Sequence, residues 1–402
     1  MFKNLSLKVI VFGFIFTFFS SFGQSFFLGI FNTSIRETLS ITHGQFGSIY
    51  ASATLLSSLL LIWVGKKIDD VNIFRFAIYV ILLLSFSCFF FSKISSVAFL
   101  FLAIFLMRFS GQGMMSHTAT TTVSRYFTKS RGRALSICWF GLSSAEFIMP
   151  VLMVFLLSIT TWQNIWTIIA IIILFFLPIA SFFLVKKVNL DTREKTEGDE
   201  FKEENIKQWK RIEVLKDYKF YIVSMNMLAM PWIATGVFVY QSFITSSKNW
   251  GPFVIAQSFM SYSFFSVLTL LISGFLIDKF TSRKLLIFMN IPLFLSTFVI
   301  IYFDATVSAF VFLGLIGISN GLANVLGSST WAEVYGVKHI GSIKALTTAL
   351  MVFATAFGTA LFGFLIDSGF SIEKIAIVSA LYILTSFVLL LFVRKNLNPI
   401  YI

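Results

Sequence analysis

Apolar side chains occupy this chain in stretches of about twenty residues or more, broken by short polar intervals that hold nearly all of its charge. Stretches long enough to cross about 30 Å of hydrocarbon fall near 8–31, 43–66, 74–94, 96–123, 133–159 and 162–185. Six more lie near 218–246, 252–277, 284–303, 305–333, 344–366 and 372–393. The pattern predicts an all-α polytopic membrane protein with twelve transmembrane helices, numbered 1 to 12 in chain order. Lys3 and Lys8 precede the first stretch as in a signal peptide, but the run continues to Phe31. That is too long for a signal core, so an uncleaved first helix is expected.

Composition agrees with lipid as the main solvent. Of 402 residues, 57% are hydrophobic, 12% are charged and 52 are Phe, too little charge for a soluble chain of this size. The net charge of +13 raises nucleic acid as a partner. The basic residues, however, form short clusters between apolar runs and not one face, which argues against it. An even number of helices puts both termini on one side. That side holds 26 Lys and Arg, against Arg36, Lys93, Lys248 and Lys374 on the other. By the positive-inside rule the termini are cytoplasmic, in a multi-pass inner-membrane protein. The charge-mixed stretch 186–217 reads as a cytoplasmic linker with a surface helix around Glu203–Leu215, dividing the chain into 1–185, 186–217 and 218–402. Cys88 and Cys138 lie within apolar runs and read as packing residues. No nucleotide loop, metal cluster or catalytic constellation stands out, so neither an enzyme nor a cofactor is expected, and the chain is expected to be a monomer.

Sliding the sequence along itself by 209 residues superposes polar features of two loops. Gly65, Asp69 and Arg75 meet Gly274, Asp278 and Lys284, while Tyr126, Lys129 and Gly132 meet Tyr335, Lys338 and Gly341. One offset serving two loops, at polar or glycine positions, points to duplication: two pseudo-symmetric six-helix bundles in parallel orientation. The segment Gly274–Lys284, with Asp278, Lys279, Arg283 and Lys284, resembles the helix 2–3 signature of major facilitator transporters. The first copy, Gly65 to Arg75, departs from it at Asp70 and Asn72. Arg108 followed by Gly111 and Gly113 resembles the helix 4 signature of that superfamily. Ser124–Cys138, which includes Arg131 and Gly132, together with Ala145–Pro150 and the segment from Trp331, resembles the monocarboxylate and oxalate–formate branch. The resemblance implies secondary transport by alternating access. An Asp at a helix end can pair with neighbouring basic loops, and Gly permits close helix approach, so the loop residues are gating candidates.

Two charges fall near mid-membrane. Arg108 lies roughly 16 Å from the outer end of helix 4, and Glu146 roughly 20 Å from that of helix 5, at 1.5 Å per residue. A charge there costs at least about 2.5–3.5 kcal/mol, so each should face a cavity or a partner. The matching depths make Arg108 and Glu146 candidates to pair, with protonation of Glu146 releasing Arg108 to a substrate carboxylate. Gln112 shares the face of Arg108, whereas His117, nine residues on, falls about 180° away on an α-helix. Gln24, Asn32, Gln241, Asn320 and Asn324 are further cavity candidates. Carriers of the resembled branch use a charge in the middle of helix 8 or 11. Here Gly251–Phe275 has none and Lys344 is at the start of helix 11. The expectation is a proton-coupled carrier of a small organic anion, a monocarboxylate, with an exporter of drug-like compounds by proton antiport as the alternative.

Overall fold

A computed structural model describes residues 2–127, 131–186, 207–336 and 338–398. Twelve helices among them are long and apolar enough to span a membrane. In order they are Ser6–Ile30, His43–Ile68, Ile73–Phe91, Val97–Tyr126, Arg133–Leu157, Trp162–Val185, Tyr218–Val239, Pro252–Ile277, Ser282–Tyr302, Thr306–Tyr335, Ser342–Asp367 and Ile372–Asn396. No strand occurs among the described residues. The chain divides into two compact units, Met1–Thr196 and Glu197–Ile402.

Within the first unit helix 1 lies along helix 5, helix 2 along helix 4 and helix 3 along helix 6. Within the second, helix 7 lies along helix 11, helix 8 along helix 10 and helix 9 along helix 12. The pairing therefore repeats, as the 209-residue offset predicts. Lipid tails are as apolar as Leu and supply no hydrophobic drive between helices, so association needs close backbone contact. Glycines provide it. A Cβ on Gly141 would strike the Phe14 carbonyl of helix 1, and one on Gly358 the Trp232 carbonyl of helix 7. Outward positions carry large apolar groups, with Trp63, Phe275 and Phe392 each more than 70% exposed, as only a hydrocarbon surround allows.

Each unit also has an aromatic core. In the first, Trp166 is ringed by Phe22, Phe27, Phe31 and Phe91, at 4.6 to 6.5 Å between ring centres. In the second, Trp331 and Tyr335 stack, and Phe220 and Trp209 pack against them. Trp209 belongs to the expected linker. Residues 187–206 of that segment, with the first part of the expected helix Glu203–Leu215, lie outside the described residues; among those described, its helix is Arg211–Lys216. Its end is thus part of the second unit's core.

The opposite end of the second unit is tied by one cation. Lys248 Nζ, on a side chain only 2% exposed, lies 2.7 Å from Asp304 Oδ1 and 2.8 Å from Glu373 Oε1. Trp250 Nε1 donates to the Asp304 carbonyl at 2.7 Å. The connections after helix 7 and after helix 9 are thereby joined to the first turn of helix 12. Burial pulls the Lys248 pKa down, but bonds to the two carboxylates outweigh it, and the net displacement is above the usual lysine value. A raised folded-state pKa means that the stabilisation is complete below the ordinary lysine pKa and is lost only as pH climbs through the higher folded value. Both carboxylates keep solvent contact, so Lys248→Met is expected to cost about 1–2 kcal/mol. Thermal unfolding of the purified protein at neutral pH should show a drop of several degrees; an unchanged midpoint would reject the tie.

Candidate functional site

Helix 1 is not continuous. Its α-helical part ends at Ser20, Ser21–Gly23 form a 3₁₀ turn, Gln24 is extended (φ −84°, ψ 155°), and the helix resumes at Ser25–Ile30. Facing the break, helix 4 changes from α at Val97–Met107 to π at Arg108–Met115, then returns to α at Ser116–Tyr126. The two irregular segments meet backbone to backbone. A Cβ on Gly111 would lie 2.7 Å from Gly23 N and 2.8 Å from Gly23 Cα, and one on Gly23 would clash with Gln112 N and the Met107 carbonyl. Only glycine fits either position.

Arg108 opens the π segment and is 2% exposed. Its Nη1 donates to the Gly23 carbonyl at 3.0 Å, and its guanidinium carbon lies 5.3 Å from the centre of the Tyr50 ring on helix 2. Its Nε has no hydrogen-bond partner. Buried hydroxyls of Ser21, Tyr50, Thr54 and Ser116, on the same three helices, are also unpartnered. Gln24 and Gln112 are half-buried at the contact of helices 1 and 4. The arrangement is a buried cation with polar side chains and no anion bonded to it among the described residues.

The expected ion pair with Glu146 does not form in this structure. Arg108 is engaged by helices 1 and 2, while Glu146 is half-buried on helix 5 with no ion pair to a cation among the described residues. Asn32 lies beyond the first membrane span, where it accepts from Arg36 Nε at 2.8 Å. Gln241 lies beyond the end of helix 7, where its Nε2 donates to the Phe238 carbonyl at 2.9 Å. Asn320 Nδ2 donates to Ser266 Oγ at 2.8 Å, joining helices 10 and 8, and Asn324 is exposed. The polar candidates of the second unit therefore do not converge. Asn226 and Asn290, absent from the expected set, are more deeply buried. The Asn290 amide donates to the Asn226 carbonyl at 2.7 Å, and Asn226 leaves both side-chain polar atoms unpartnered.

His117 also departs from its expected place. Its Nε2 lies 3.0 Å from the Gly65 carbonyl of helix 2, the same helix that Arg108 touches through Tyr50. A π segment adds one residue to the turn and rotates the downstream residues by about 100°, which cancels much of the 180° expected on a regular helix. Among the gating candidates, Gly65 abuts the His117 ring, but Gly274 has nothing within 4 Å of a Cβ position, so close approach explains only the first. Arg75 and Lys279 are exposed. In the second copy the backbone N–H groups of Ser282 and Arg283 donate to Glu333 of helix 10 at 2.8 and 3.2 Å. The side chains of Asp69, Asp278 and Arg131, and the placement of Gly132's surroundings, lie outside the described part of the structure.

Gly23→Ala is expected to destabilise the protein by about 1–3 kcal/mol through overpacking, with the Arg108 bond disturbed as helices 1 and 4 separate. Gly274→Ala, with open space in a helix interior, should leave stability unchanged or raise it by up to about 1 kcal/mol. Unfolding midpoints of the two purified variants make the comparison, and equal midpoints would contradict the contact.

The sequence matches no curated protein. Solved structures match over nearly the whole chain. A bacterial homologue of the human lysosomal transporter Spinster, crystallised inward-facing and occupied, aligns at a TM-score of 0.70 with 13% identity, over 98% of this chain and 97% of that one. The nucleoside transporter NupG aligns at 0.70 with 16% identity, over 98% and 99%. At these identities the likeness is one of fold. The model of the Major Facilitator Superfamily matches residues 13–241 and 220–399, and the chain belongs to that superfamily of transporters.

Proposed function

We propose that this transporter moves a small organic anion, a monocarboxylate, and that Arg108 holds its carboxylate. The observation that carries the reading is a guanidinium buried in a membrane helix whose hydrogen bond, among the described residues, is to a neutral carbonyl. Holding that charge in the bilayer interior costs at least about 2.5–3.5 kcal/mol. The Gly23 carbonyl and the Tyr50 ring offset part of this, and neither supplies a counter-charge. A carboxylate would supply one, and a planar guanidinium suits it because two parallel N–H bonds can form. Thr54, Gln24 and Gln112 provide neutral donors and acceptors for the rest of a small ligand. Among the described residues no other buried cation lies within a membrane span, which favours one carboxylate over two.

Proton coupling is assigned to Glu146. Beside Arg108 it is the other Asp, Glu, Lys or Arg near the middle of a span in the first unit; among the described residues it has no cation paired to it and can change protonation without breaking a salt bridge. The role first expected for it, a direct clamp on Arg108, is replaced by a separate proton site. The contacts of His117 with Gly65 at the end of helix 2 and of Glu333 with residues 282–283 at the start of helix 9 are proposed as gating contacts.

Counterflow in proteoliposomes with labelled monocarboxylates, dicarboxylates, amino acids and neutral compounds tests substrate class. Accumulation of neutral compounds alone would reject the anion reading. Arg108→Gln should raise the half-saturating concentration by about 10- to 100-fold, the value of a lost charge-assisted contact of about 1.5–3 kcal/mol. Arg108→Lys should not restore it, because an ammonium cannot bond Gly23 and present a planar fork together. Glu146→Gln should abolish acceleration by an inward proton gradient while exchange persists. Retained pH dependence would remove Glu146 from the mechanism.

A further inference from the structure

The linker-side end of the second unit carries a surface that the Arg108 site does not use. Residues 207–217 are fastened there from the inside. Trp209 N–H donates to the Tyr335 carbonyl at 3.0 Å, Lys338 N–H donates to Gln208 Oε1 at 2.9 Å, and Val214 is fully buried. The outward side of the segment is apolar and basic together. Ile212 is 68% exposed, and Leu215, Tyr218 and Tyr221 are exposed beside it. Tyr221 Oη donates to the Leu215 carbonyl at 2.8 Å, which sets the short helix Arg211–Lys216 against the outward side of helix 7 at its first turns. Lys210, Arg211 and Lys216 are exposed on the same segment, whereas Glu213 is paired with Lys207 at 3.0 Å.

Helix 7 begins its membrane span at Tyr218. Exposed tyrosines at that position mark the level of the headgroups, so the apolar side chains of the short helix stand at the same level. A short amphipathic element with cations around an apolar centre binds membrane surfaces, and more strongly when the lipid is anionic. We propose that the segment from Lys210 to Tyr221 is a seat for anionic phospholipid, with Ile212 and Leu215 in the acyl boundary and Lys210, Arg211 and Lys216 on the phosphates. Because the same segment bonds the helix 10–11 connection, lipid held there braces that connection too.

The test uses the full chain in proteoliposomes. Cys88 and Cys138 are buried, so an environment-sensitive fluorophore on Ile212→Cys reports one position. In vesicles containing phosphatidylglycerol, emission should shift to the blue and resist an aqueous quencher, relative to vesicles of phosphatidylcholine alone. The variant Lys210→Gln/Arg211→Gln/Lys216→Gln should lose that difference. It should also retain less phosphatidylglycerol after extraction, by about fivefold per charge removed, as read by native mass spectrometry. The comparator Arg394→Gln/Lys395→Gln removes an exposed basic pair in the last turn of helix 12. Identical emission in the two lipids, or equal lipid loss from the comparator, would overturn the seat.

Discussion

In hydrocarbon a backbone carbonyl outside a helix has no water to turn to, and the candidate site around Arg108 is built on that constraint. Helix 1 breaks at Gln24 and frees the Gly23 carbonyl; helix 4 relaxes into a π segment and brings Arg108 to it. Each partner would be costly alone, the carbonyl because it lacks a donor and the guanidinium because it lacks water. Together they offset one another in part, and the remaining charge is uncompensated. The contact depends on Gly23 and Gly111, since a Cβ on either would separate the two backbones. A local irregularity in one helix thus fixes the placement of the charge in another.

The two units share a pairing scheme but not this chemistry. At the place equivalent to Arg108 the second unit has Gly317, where a Cβ would strike the Tyr262 carbonyl of helix 8. Helices 8 and 10 lie so close there that no side chain has room. The place of Glu146 is taken by Thr355, whose hydroxyl bonds the Val352 carbonyl of its own helix. The second unit is braced at both ends instead: Lys248 ties two connections to the start of helix 12 on one side, and Tyr335 holds Trp209 and Asp217 of the linker on the other. The repeat legible in the loops therefore does not extend to the buried charges.

Spans, duplication and the buried arginine could be read from residue order because each rests on a property of residue type. Twenty apolar residues must cross the bilayer wherever they pack, and a guanidinium among them is expensive in any fold. The companions of Arg108 carry no such mark. Tyr50 and Thr54 look like ordinary members of an apolar helix, and only the fold places Tyr50 beneath the guanidinium. Gln241 stands out within the apolar stretch 218–246, yet it falls past the end of helix 7 at Val239, which composition alone does not locate.

Residue type determined the class of this protein: twelve membrane helices in two related halves, with one cation buried in the first. Tertiary structure decided what that cation meets. The nearest carboxylate in depth was Glu146, but the partner is a carbonyl on helix 1, because a 3₁₀ turn, an extended residue and a π segment rotate side chains away from where regular helices would put them. The same rotation brings His117 to helix 2. Helical periodicity projects a sequence onto faces only while the helix stays regular, and this site lies where two helices do not.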